Sequence, residues 1–129
     1  MKLNLAFCSL FLVLIFSCKK DNTSGAGIYG KWRLTETLAD PGNGLGEWMK
    51  VSASSNDYVE FRPDGKVKST LFAEYATYVL TDSTTITFSK ENKTVQHYRY
   101  SIKDGVLTMS PNGPIYCIER CGSRFKKAE

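Results

Sequence analysis

Few residues in this 129-residue chain have side chains that could carry chemistry: four cysteines, one histidine and a scatter of carboxylates. His97 lies beside Arg99 on the polar side of an alternating segment and reads as a surface histidine. No Ser-His-Asp order and no Gly-x-Ser-x-Gly elbow is present, and one histidine with two cysteines that can bond each other makes a poor Cys-His pair. Glu60, Glu74, Glu91 and Glu119 are the carboxylates that would have to pair as acid and base, yet carboxylates on strands usually face water. There is no glycine-rich phosphate loop and no metal-spaced His/Asp cluster, so neither a cofactor nor a catalytic residue is implied. A binding protein, not an enzyme, is expected.

The cysteines divide by position. Met1-Lys2 precedes an apolar run from Phe7 to Phe16, then Ser17-Cys18-Lys19-Lys20, the layout of a signal peptide over residues 1–17. The run is shorter than the roughly 20 apolar residues needed to span a bilayer. Leu14-Ile15-Phe16-Ser17-Cys18 resembles the lipobox of bacterial lipoproteins, which implies lipidation of Cys18, a fatty acid such as palmitate, and a membrane anchor in the cell envelope. A non-lipidated signal cut near Ser24-Gly25-Ala26 is the alternative. Cys117 and Cys121 remain, and in an exported setting they are expected to pair, with two free thiols as the alternative. A zinc half-site would lack its other ligands. In a straight strand the pair would lie about 13 Å apart, against a disulfide Cα separation near 5.5 Å. Pairing therefore requires a bulge or a tight turn at Ile118-Glu119-Arg120.

These residues need a scaffold, and the composition supplies one. The chain is 42% hydrophobic, 12% aromatic and 23% charged, as in globular domains. Without Lys2, 16 basic residues face 13 acidic ones, a net of +3. The basic residues are scattered, unlike a nucleic-acid surface, so no nucleic acid is expected as a partner. Residues 18–27 read as the lipidated cysteine and a polar tether, and residues 28–129 as one domain.

Within that domain apolar and polar residues alternate with period two, and turn residues punctuate the alternation. Strands are expected over Tyr29–Leu38, Tyr58–Arg62, Lys66–Phe72, Tyr75–Leu80, Thr84–Phe88, Gln96–Ile102, Val106–Met109 and Ile115–Phe125, the last containing both cysteines. Pro63-Asp64-Gly65, Thr81-Asp82-Ser83, Asp104-Gly105 and Pro111-Asn112-Gly113-Pro114 mark turns. A long connection from Asp40 to Asn56, with Trp48, Met49 and Val51, reads as a lid or binding loop with room for a short helix. Eight successive short strands describe an all-β, eight-stranded antiparallel up-and-down barrel, with an open sandwich as the alternative.

Gly30-Lys31-Trp32 resembles the Gly-x-Trp signature of lipocalins. The chain as a whole resembles the short lipocalin-like lipoproteins of Bacteroidetes-type bacteria: Tyr58-Val59-Glu60-Phe61-Arg62-Pro63-Asp64-Gly65 is similar to their second-strand hairpin, and Cys117 to Cys121 with Arg124-Phe125-Lys126 to their closing strand. The resemblance implies that Gly30, Trp32 and Arg124 are structural, with Arg124 packed on Trp32 at the closed end.

Trp48, Tyr78, Phe88, Tyr98, Tyr100 and Met109 are expected to line a site for a small, partly hydrophobic ligand under the Pro41–Val51 connection. The same side chains would otherwise fill the core. The barrel would then act by its surface, as an inhibitor or assembly partner of an envelope protein.

Overall fold

The computed structural model describes residues 27–129; the expected signal peptide, Cys18 and nearly all of the tether lie outside the described residues. The regular structure is all strand: β1 (Gly30–Ala39), β2 (Glu47–Lys50), β3 (Tyr58–Phe61), β4 (Val67–Ser69), β5 (Thr77–Leu80), β6 (Thr85–Ser89), β7 (Val95–Lys103), β8 (Val106–Pro111) and β9 (Gly122–Lys127). β1 shows why. Its β-branched and aliphatic residues favour extended backbone, and alternation buries Trp32 and Leu34 while Lys31 and Arg33 face water.

All pairings are antiparallel, in the spatial order β4-β3-β1-β9-β8-β7-β6-β5. The two outer members then meet: Val67 N–H donates to the Ala76 carbonyl at 3.1 Å, Tyr78 N–H to the Gly65 carbonyl at 2.9 Å, and Lys66 bridges to Thr77. These contacts nearly close an eight-stranded up-and-down barrel and leave little unpaired edge.

Two expected elements change most. The long connection contains β2, which pairs with the second half of β1 (Leu38 opposite Trp48), while β3 pairs with the first half (Trp32 opposite Val59). β2 and β3 are thus one interrupted strand. Val51 N–H donates to the Thr35 carbonyl and Leu34 N–H to the Asp57 carbonyl, both at 2.9 Å, so the ladder resumes on either side of the excursion. The Arg33 guanidinium props the excursion open by donating to the Ala53 and Ser55 carbonyls. The second change is at the end of the chain. The closing strand begins at Gly122, not Ile115, because Cys117 and Cys121 are bonded with their Cα atoms 6.1 Å apart, a spacing that no extended segment of that length can reach.

The turns sort the barrel into two ends. The chain enters at Ile28 beside the turns at 62–66, 81–84 and 103–105, and β9 leaves there as well. Asp104 and Gly105 both have positive φ, +52° and +73°, the backbone of a tight two-residue hairpin. At the opposite end lie the turn at 40–46 and the loops at 70–76, 90–94 and 112–121. Between them the core is filled by Trp32, Phe61, Phe88, Phe125, Ile86, Leu107, Met109 and Val59, each almost wholly inaccessible to water.

Candidate functional site

Five of the six residues expected to hold a ligand sit inside the barrel, where they pack against each other and against the core. Tyr78, Phe88, Tyr100 and Met109 are buried, and Tyr98 is half-buried at the loop end. Phe88 is the hub. Its ring centroid lies 5.3 Å from Tyr98, 5.5 Å from Phe72, 5.7 Å from Tyr75 and 6.1 Å from Phe61. Phe72 and Tyr75 come from the 70–76 loop, so this loop, and not the Pro41–Val51 connection, stoppers the mouth. The Ser69 hydroxyl turns it inward, accepting from the Leu71 and Phe72 N–H groups and ending β4 three residues earlier than the sequence suggests. Burial raises the Tyr78 phenol to about 12, with Tyr29 and Asp64 adding to the effect. Burial likewise raises Tyr98 to about 12, with help from Tyr75 and Glu74.

Trp48 is elsewhere. It is opposite Leu38, Leu38 is opposite Gly122, and opposed residues share a face, which here is the outer one. The indole lies across β9 on bare backbone: a Cβ at Gly122 would come within 3.3 Å of Trp48 Cη2 and 2.9 Å of Ser110 Oγ. Arg124 stacks on this ring at 3.8 Å from its centroid and also forms an ion pair with Glu36 at 3.1 Å. The expected Arg124–Trp32 contact is therefore not made. Phe125 points inward, so Arg124 beside it must point out. Trp32 is opposite Lys127, whose ammonium lies 5.1 Å from the ring, and its Nε1–H donates to the Ile28 carbonyl at 2.6 Å. Gly30, at φ +110°, opens β1 beneath Lys127.

Around Trp48 the outer wall forms a groove of about 540 Å³, lined by Leu38, Leu45, Trp48, Arg99, Ser110 and Arg120. The turn and the disulfide loop beside it are built stiffly. Asp40 Oδ1 accepts from the N–H groups of Gly42, Asn43 and Gly44. Gln96, buried on the apolar face of β7, clamps the disulfide loop by accepting from Ile115 N–H at 3.0 Å and donating to the Ile115 carbonyl at 2.8 Å. His97 N–H donates to the Gly113 carbonyl, and Asn112 N–H to the His97 carbonyl. The His97 ring meets the Thr87 hydroxyl through Nδ1 at 2.8 Å on the outer wall. From this fixed base Leu45, Ile115, Tyr116 and Ile118 project into solvent, Ile118 completely. A second groove, about 510 Å³, runs under the Arg33-propped excursion, with Leu34, Val51 and Val106 flanked by Lys50 and Lys126.

No family model, curated protein or solved structure matches this chain. Its own geometry has to carry the reading.

Sequence reasoning missed Gln96, Arg99, Arg120, Gly122 and Ile118. Gln96 did leave a signal, as the one amide in register with Tyr98 and Tyr100 on an apolar face, where a polar group needs partners. Arg99 and Arg120 left none, since their convergence depends on the register of strands distant in sequence.

Proposed function

We propose that this chain is a lipid-anchored, lipocalin-like protein of the bacterial cell envelope, whose packed barrel acts through its loop end by binding another envelope protein. Ile118 carries this reading. An aliphatic side chain fully in water at the tip of a disulfide loop, with Ile115 and Tyr116 beside it, contributes nothing to this fold and suits insertion into a partner's pocket. The Gln96 clamp and the Cys117–Cys121 bond support the same reading, because a loop ordered in advance loses little entropy on docking.

Orientation supports it too. A chain anchored through Cys18 enters the barrel at Ile28, so the loop end is carried away from the membrane, toward partners. A small ligand inside the barrel would have to displace Phe88 or Tyr98 from an interlocked aromatic cluster, which makes the interior the poorer candidate.

The test uses the full chain in its own host, with a photo-reactive residue at Ile118 and, as a control, at the exposed Val79 on the barrel wall. One protein adduct at position 118 and none at 79 is expected. A small molecule retained by the purified protein in native mass spectrometry, with no adduct at 118, would overturn the reading. Fatty-acid labelling lost in Cys18→Ala tests the anchor separately.

A further inference from the structure

We propose that the groove beside Trp48 receives a carboxylate side chain of the partner, seated between Arg99 and Arg120 and flanked by an apolar residue that covers Leu45. This rests on the reading that the loop end docks a protein, and it specifies what that protein must present.

The groove carries unbalanced positive charge. Of the arginines around Trp48, Arg124 is satisfied by Glu36. Arg99 and Arg120 have no ion-pair or hydrogen-bond partner among the described residues. What faces them explains this. Arg99 is opposite Thr85 on β6 and Ser110 on β8, both hydroxyl residues, and beyond them lie Gly122 on β9, Leu38 on β1 and Trp48 on β2. Arg120 lies along Gly46, its Cβ 3.5 Å and its Cδ 3.7 Å from where a Cβ on that glycine would be. The acids nearby are otherwise engaged or turned aside. Asp40 is held by three N–H groups of its own turn, Glu36 by Arg124, and Glu119 turns toward Gly42. Glu47 alternates to the opposite face of β2 from Trp48.

Two guanidinium groups on one groove repel each other until an anion joins them, and the planar guanidinium fork matches a carboxylate in bidentate fashion. The Ser110 hydroxyl lines the same groove, directly opposite Arg99 on the neighbouring strand, and offers a further donor. The groove has an apolar side, Leu38, Leu45 and Trp48, and shares Arg120 with the adjoining groove that Ile118 lines. A protein segment pairing an Asp or Glu with an apolar neighbour fits both halves. A free anion would use only one.

The test adds Arg99→Gln and Arg120→Gln together to the full chain bearing the photo-reactive residue at Ile118. Adduct yield should fall about tenfold, as expected for losing a charge-assisted contact worth about 1.4 kcal/mol. Melting temperature and Trp48 fluorescence should stay unchanged, and Arg99→Lys with Arg120→Lys should recover part of the yield. The segment mapped in the unsubstituted adduct should contain Asp or Glu beside an apolar residue. Undiminished yield in the Gln pair, or a mapped segment without a carboxylate, overturns this inference and leaves loop-end docking standing. Absence of any adduct in the unsubstituted chain overturns both.

Discussion

The two ends of the barrel satisfy themselves differently. At the end where the chain enters, Trp32 is buried, its indole N–H is taken by the Ile28 carbonyl and its ring is capped by Lys127. At the loop end, Leu45, Ile115, Tyr116 and Ile118 stand largely in water, and the Arg99 and Arg120 guanidinium groups lack partners among the described residues. The backbone there is nonetheless as firmly tied, by Gln96, by Asp40 and by the disulfide. Both ends are tied down, but only the loop end carries an apolar side chain left wholly in water, Ile118, with Leu45, Ile115 and Tyr116 largely exposed as well. This separates a surface that stabilises the fold from one built to meet something else.

Trp32→Ala should break the comparison most severely from the closed side. Truncating a buried tryptophan costs about 3–5 kcal/mol, visible as a large drop in melting temperature by circular dichroism. A variant that kept its melting temperature would mean that the closed end is not the structural one. Gln96→Leu should rank next. It leaves the Ile115 N–H and carbonyl without their clamp, at a cost of about 2 kcal/mol in denaturant unfolding, and it should speed hydrogen exchange at Ile115 while leaving that at Trp32 protected.

Gly122→Ala acts on the outer wall, where the new methyl group would strike Ser110 and crowd Trp48. About 1 kcal/mol is expected, with a shift in Trp48 emission that a Trp48→Phe background removes. Alkaline titration should give the smallest effect at ordinary pH. Tyr78 and Tyr98 stay protonated in the folded barrel to about 12, whereas their unfolded phenols ionise near 10. Their contribution to stability is therefore complete below pH 10 and is lost as pH rises from 10 toward 12. Melting temperatures measured by circular dichroism up to and across that range should be flat first and then fall; the absence of a fall between pH 10 and 12 would mean that these phenols are not shielded.

The antiparallel barrel could be read from the sequence because period-two alternation is a local signal, strongest in β7. β2 escaped because Pro41 and three glycines precede it and only four residues of it pair with β1. The disulfide could be anticipated from two exported cysteines, but its effect on the closing strand was understated: a bridge over so short a loop excludes extended structure on its own. The Arg124 contact was misjudged for a different reason. Proximity to Trp32 in the sheet depends on register, and a bulge at Leu34/Glu36 separates the two halves of the β1–β9 ladder. The groove was invisible, since its residues come from β1, β2, β7, β8 and two loops.

The Arg33-propped excursion between β2 and β3 has a consequence for handling the molecule. Because β1 holds the chain in register both before and after it, residues 52–56 can lengthen without shifting any strand. It lies on the barrel wall, outside the loop end, so an affinity tag or fluorophore inserted there should report on the intact protein while leaving both ends free.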